Sequence, residues 1–590
     1  MGKFLFVHFT GEHKNGEQIY FSVSPDGRHF HDLNDGQPIL HSTIGEEGIR
    51  DPFLIRDEVN QCFYLIATDL QIHKGKGWQD AQINGSHNIV VWQSQDLIYW
   101  SEPHFLDVGL EEAGNVWAPE AIYDKEKKAF LVFWASKTNG KQKMYAAYTK
   151  DFKSLGTPFL FMEKKGDVID STILEANGYY YRFTKDETTS FVIMERAQEL
   201  TGVYERVTSD TLAAIEGVEG PEIYQVDEHC WYLILDRFMQ DLGYMILQTD
   251  DLGTQDFKIL PETAYDFGQT KKRHGGVLAI TDAEYDRLWQ YYHQENPVID
   301  GLFADPDLVK FNDTYYLYPT TDGVKNWGGK QFSVFCSKDL KHFESAGKIL
   351  DLGTDQVPWA TGNAWAPCIL EKNGKYYYYF CGKRPDGNSC IGVATSNHPT
   401  GPFIADKTPL LPYEWIQKAN LPMSQMIDPS VYQEDGKAYL LFGNGQTAAI
   451  VELTEDCCHI KPETFHAYEG LFEFREALTV FKRNDLYHFT WSCEDTGSEN
   501  YHVNYGVSKK LIGPVDFHYT ILEKQPERDI LGTGHHSIFK EPDSENYKIC
   551  YHRFATPLEN YAANEKGFNR QVCISPLDFD EKGLIRPVII

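Results

Sequence analysis

IDGLFADPD, residues 299–307, restarts a pattern that the chain has already run through once from IRDP at 49–52. After Asp51 come NVWAPE at 115–120, VIDST at 168–172, VEGPEIY at 218–224 and RHGG at 273–276. After Asp305 come NAWAPC at 363–368, MIDPS at 426–430, REALTV at 475–480 and GTGHHS at 532–537. From the first Asp to Trp, second Asp, Glu and His, the spacings are 66, 53, 49 and 55 residues in the first half and 60, 63, 48 and 59 in the second. Agreement of order and scale marks a duplicated unit. The 590 residues therefore read as two tandem domains, 1–294 and 295–590, each large enough for a substantial core.

Between these motifs lie short runs rich in Tyr, Phe, Val, Ile and Leu, such as FYLIATD at 63–69, AFLVFWAS at 129–136, KYYYYFCG at 375–382 and LYHFTWS at 486–492. Such runs, bounded by Asn, Asp and Gly, are strands. Asn177-Gly178, Asn373-Gly374 and Asp435-Gly436 read as tight hairpin turns, where positive φ is cheap. A second recurring element, SQDLIYWSEP at 94–103 and SKDLKHFESA at 337–346, reads as the turn and outer strand of a repeated sheet. Helical periodicity is confined to short stretches such as 281–293, with Thr281 as its N-cap. Successive antiparallel four-stranded sheets close into a β-propeller, so the fold class is all-β with two tandem propellers. The linker is only QENP at 294–297, so the two domains are expected to pack together.

A net charge of −31 repels phosphate backbones and anionic membranes, which argues against nucleic acid and membrane as partners. It suits a neutral or cationic ligand, and the 14% aromatic content suits both a β-rich core and flat sugar rings. The N-terminus lacks the apolar core and cleavage site of a signal peptide, and no window of 18 apolar residues occurs. The eleven cysteines are scattered through strand-like runs and read as reduced core residues of a cytoplasmic protein. Cys457, Cys458 and His459 have no second pair at ligand spacing and are not read as a metal site.

Hydrolysis of a sugar bond needs a carboxylic acid to protonate the leaving oxygen and a carboxylate on the opposite face of the ring. Asp51, Asp305 and Asp428 each precede a proline, Asp170 precedes Ser171, and Glu219 and Glu476 offer the longer arm of a proton donor. The third carboxylate is expected to raise the donor's proton affinity by like-charge repulsion. An isolated Asp-Pro is an ordinary turn. Recurrence is what singles these out, since duplication gives no reason to keep a Glu at matching distance among neighbours as unlike as VEGPEI and REALTV.

The five motifs of each half resemble glycoside hydrolase family 43 over essentially the whole of that half. The resemblance implies two five-bladed β-propellers, each with an active site at its central mouth, and hydrolysis with inversion. By that resemblance Asp51 and Asp305 match the general base, Asp170 and Asp428 the acid that tunes and orients the donor, and Glu219 and Glu476 the general acid. His274 and His535 match the axial histidine, often near a calcium ion, although a hydrogen-bonded core histidine is the alternative. Trp117 and Trp365 match the pocket wall, where stacking on sugar and a core role stay open. Glu469 competes with Glu476, which is preferred for the turn and strand that follow it.

The resulting expectation is a cytoplasmic exo-acting α-L-arabinofuranosidase on neutral pentose-containing oligosaccharides from arabinan or arabinoxylan, with no required cofactor and calcium as an option. The alternatives are a β-xylosidase, a carbohydrate-binding protein with one or both propellers inactive, and a configuration-retaining fructan-cleaving relative. The pocket-flanking loops 75–88 and 324–331 differ, so the two sites are expected to differ in linkage preference.

Overall fold

The structure, a computed structural model, describes residues 2–253, 256–542 and 544–590. It divides into two units, Met1–His293 and Gln294–Ile590. Each is built of antiparallel sheets in which every strand pairs with the next. The first unit has five four-stranded sheets; the second has four of four strands and a last one of three.

Each sheet is a blade, and apolar clusters fill the spaces between successive blades. In the second unit such clusters join blades one and two, two and three, three and four, four and five, and five back to one. Both units are therefore five-bladed β-propellers. Trp134 and Trp491 are completely buried in these seams. Burying one large apolar side chain contributes ~1.5–3 kcal/mol, so a ring with no free inner edge is held by its seams.

The rings close differently. In the first unit Lys3–His8 pairs with Gly275–Ile280, so the fifth blade joins both ends of the domain. In the second, the segment before the first blade lies along the three-stranded sheet. The Val298 N–H donates to the Val572 carbonyl at 2.9 Å, and Asn296 bonds the Ile574 backbone in both directions, at 3.2 and 2.9 Å.

Local chemistry sets the rest. The three hairpin pairs turn with positive φ at both residues. In SQDL and SKDL the Ser hydroxyl accepts two backbone N–H groups and the Asp carboxylate accepts two more, joining the third strand to the outer one. Helix Asp282–Tyr292 opens on a capping box of Thr281 and Glu284. All eleven cysteines are free, and nine are buried. Among the described residues no helix is long and apolar enough to cross a membrane.

Candidate active sites

Four of the five inner strands in each unit carry an irregularity near the start. Pairing slips between Arg50 and Phe53, Trp117 and Glu120, Ile169 and Ser171, and Glu219 and Glu222 in the first unit. It slips between Ala304 and Asp307, Trp365 and Cys368, Glu476 and Thr479, and Gly534 and His536 in the second. At these bulges φ is positive at Asp51, Ala118, Asp170, Gly220, Asp305, Ala366, Ala477 and His535, and Asp428 shares the conformation just before its strand. A bulge re-aims a side chain and tolerates proline, whose missing N–H would break a regular ladder. The Asp-Pro pairs, read above as turn-like, are thus kinks at the entry of inner strands. The first, third and fifth blades thereby bring two aspartates and a histidine together in each unit.

In the second unit Asp305, Asp428 and Glu476 are all buried. His535 Nδ1 lies 3.5 Å from Asp305 Oδ1 and 3.6 Å from Asp428 Oδ2. Arg570 Nη1 donates to Asp305 Oδ1 at 3.1 Å, while Nε and Nη2 hold Asp322 at 2.7 and 3.2 Å. His552 Nδ1 is 3.1 Å from Asp305 Oδ1. Burial pushes the Asp305 carboxyl up, but the Arg570 guanidinium, with His535 and His552, holds it well below the usual range. The hydrogen bonds to Glu476 come from neutral groups: Asn444 Nδ2 donates to Oε2 at 2.8 Å and the Tyr501 hydroxyl to Oε1 at 2.9 Å, with Arg475 Nε farther off at 3.8 Å. Burial pushes Glu476 up to about 7 against the pull of Arg475 and the Tyr501 hydroxyl, and the charge of Asp305 adds to the rise.

The expected source of this shift needs correction. Asp428 is itself raised, by burial first and then by the charges of Glu476 and Asp305. A carboxyl that is largely neutral repels little, so burial replaces it as the main cause at Glu476. Asp428 Oδ2 has no hydrogen-bond donor among the described residues. Asp428 and His535 line a cavity of about 440 Å³ that continues down the inner strands past Asp307, Ser430, Thr479 and Ser537.

The first unit repeats half of this arrangement. His274 Nδ1 lies 3.4 Å from Asp51 Oδ1 and 3.8 Å from Asp170 Oδ1, and the Thr68 hydroxyl donates to Asp51 at 2.9 Å. Burial raises Asp51, yet His274, Arg50 and Thr68 bring it below its ordinary value. Burial lifts Asp170 to about 6. Burial lowers His274, but the facing Asp170 and Asp51 carry it up to about 9, whereas His535, desolvated and with Arg570 near, stays low. Glu219 is enclosed differently: Lys185 Nζ donates to Oε2 and Arg273 Nη2 to Oε1, both at 2.8 Å. Burial opposes them, but Lys185 and Arg273 hold Glu219 below its ordinary range.

Residues 1–286 match a family model described as a probable glycosyl hydrolase domain, and residues 294–585 match one described as glycosyl hydrolases family 43. A β-D-galactofuranosidase of Aspergillus niger is 32% identical over 311 residues, covering 50% of this chain and 85% of that protein. The chain belongs to glycoside hydrolase family 43. An α-L-arabinofuranosidase of Bifidobacterium longum subsp. longum is 31% identical over 229 residues, 33% of this chain and 21% of that protein. Xylosidase/arabinosidase 43A of Humicola insolens is 29% identical over 300 residues, 41% of this chain and 86% of that protein.

Strand register equates the two family 43 centres position by position. Lys185 pairs with Ile169, the residue before Asp170; Gly443 donates its N–H to the carbonyl of Ile427, the residue before Asp428. Arg273 precedes His274 as Gly534 precedes His535. Both cations that enclose Glu219 are thus glycines in the second unit. Trp117 meets Trp78 edge-on at 6.0 Å, and Trp365 Nε1 donates to the Trp327 carbonyl at 2.6 Å. Trp78 and Trp327 lie in the differing loops between the second and third strands of the first blades. Glu469 is exposed, away from the buried carboxyls.

The residues that sequence reasoning missed are those that set charge: Lys185, Arg273, Asn444, Tyr501, His552 and Arg570. A signal existed for one pair, the contrast of Arg273 in RHGG with Gly534 in GTGHHS. For calcium, no group of three or more His, Cys, Asp or Glu among the described residues is placed to hold an ion. Both axial histidines instead face carboxylates through Nδ1. No step of the mechanism uses an ion.

Proposed function

We propose that this family 43 chain is an inverting, exo-acting glycosidase that releases terminal α-L-arabinofuranose from oligosaccharides, with its chemistry at the second propeller. One arrangement carries this: Arg570, His535 and His552 face Asp305 and hold its carboxyl well below the usual range, while buried Glu476, bonded by Asn444 and Tyr501, is pushed up to about 7. Two carboxyls whose environments drive them apart are a base and an acid. The Asp305 carboxylate takes a proton from water as that oxygen bonds the anomeric carbon. On the other face Glu476 gives its proton to the glycosidic oxygen as the C–O bond breaks. Asp305 ends protonated, Glu476 ionised and the configuration inverted. Arg570, anchored by Asp322, holds the base charged and in place. His535 lies between Asp305 and Asp428, at 3.5 and 3.6 Å. The eleven free thiols support a reducing, cytoplasmic setting for this reading.

The sign of the pH dependence follows. Glu476 must be protonated, so the rate falls about tenfold per pH unit once the pH rises through about 7. Asp305 must be ionised, so the acid limb lies below the ordinary aspartate range. A kcat/KM profile checks both limbs, and an alkaline limb near the ordinary glutamate value contradicts the assignment.

A second reading, a terminal β-D-galactofuranose, is favoured by the similarity to the Aspergillus niger enzyme. That sugar has the same ring configuration as α-L-arabinofuranose and differs in its exocyclic chain. Aryl α-L-arabinofuranoside, β-D-galactofuranoside and β-D-xylopyranoside separate the choices. Highest kcat/KM is expected on the arabinofuranoside, with β-L-arabinose as the first anomer seen by NMR. Preference for the xyloside, or retention of configuration, overturns the reading.

A further inference from the structure

We propose that the N-terminal centre binds a terminal furanosyl residue without cleaving it: Asp51, Asp170, His274 and the Trp78–Trp117 wall hold the sugar, while Lys185 and Arg273 occupy the would-be proton donor Glu219. The inference rests on the second propeller being the glycosidase.

Hydrogen-bond roles make the argument. A general acid must exist both with and without its proton. Tyr501 beside Glu476 satisfies both states, because a hydroxyl donates to a carboxylate and accepts from a carboxylic acid. Lys and Arg only donate. Lys185 and Arg273 each give Glu219 a charge-assisted hydrogen bond at 2.8 Å, so both contacts favour its anion over the acid.

The cations are also fixed. Lys185 is 2% exposed, bonds Glu187 at 2.7 Å and lies 4.3 Å above the Phe238 ring. Arg273 Nε bonds the buried Asp236 at 2.7 Å. Neither is free to swing aside, and both stand where the second propeller has glycine. The contacts that face a sugar's hydroxyls are kept, since His274 bridges Asp51 and Asp170 much as His535 bridges Asp305 and Asp428. Trp78 is 44% exposed and its ring is backed by Arg50 at 4.8 Å, a flat face open to a ligand. Grip is preserved and proton donation is not.

The test uses the full chain with Asp305→Asn. Turnover of 4-nitrophenyl α-L-arabinofuranoside is expected at background from about pH 4 to 9, since loss of acid–base chemistry removes roughly 10²–10⁴-fold in rate. Calorimetric titration with an arabino-oligosaccharide is expected to keep a binding component that Trp78→Ala, a change at an exposed position, removes. Residual turnover that a further Glu219→Gln abolishes overturns the proposal, because Glu219 is then a working donor. A binding isotherm unchanged by both Trp78→Ala and Asp51→Asn overturns it too. Failure of the glycosidase reading is seen separately, as a wild type that cleaves none of the aryl glycosides.

Discussion

Asp305→Asn is expected to lower kcat/KM on an aryl α-L-arabinofuranoside roughly 10³–10⁴-fold, near the upper range for losing an acid–base group. The amide keeps the size of the side chain and a carbonyl oxygen for Arg570, but it cannot take a proton from water. Arg570 retains its bonds to Asp322, so no buried cation is left without a partner. The melting temperature is therefore expected to stay close to that of the wild type while turnover collapses. Calorimetry beside steady-state kinetics reads both. A variant that unfolds, or one that keeps more than a few per cent of wild-type turnover, removes Asp305 from the role of base.

Glu476→Gln is expected to cost roughly 10²–10⁴-fold on glycosides with a poor leaving group. On an aryl glycoside whose phenolate departs without help, the loss is expected to be far smaller. That dependence distinguishes a proton donor from a residue that merely shapes the pocket. The alkaline limb near pH 7 is expected to vanish with it, because the group that loses its proton there is gone. The Gln amide would set an NH₂ against either Asn444 or Tyr501, and the Tyr501 hydroxyl can turn to accept it. Equal losses on good and poor leaving groups, with the limb still in place, would falsify the assignment.

Local pattern carried much of this into view before any coordinates. Runs such as FYLIATD and KYYYYFCG are strands because β-branched and aromatic side chains alternate across a pleat. Asn177-Gly178 and its relatives turn the chain because positive φ is cheap there. The repeated order of Asp, Trp, Asp, Glu and His marks the inner-strand entries, most of which are bulged. Charge state was not legible in the same way. Lys185 and Glu219 come from neighbouring blades, 34 residues apart. Arg570 reaches Asp305 across 265 residues. Whether a glutamate meets Lys and Arg or Asn and Tyr is decided by tertiary contact, and that contact separates two sets of acids alike in residue type. The Asp-Pro pairs were half legible: proline announced a break in regular pairing, but only strand register tells a bulge from a turn.

The closure of the second ring limits where the chain can be cut. Its last blade lacks a fourth strand, and residues 296–298 lie along the free edge near Val572 and Ile574. Gln294 belongs to the same seam, accepting from the Ser575 hydroxyl at 2.7 Å and donating to the Ile589 carbonyl at 3.1 Å. A fragment begun at Phe303, where the first strand of that propeller starts, would expose an unpaired β-edge to other chains. One begun at or before Gln294 would carry its own cover, so an expression boundary chosen from strand positions alone falls on the aggregating side.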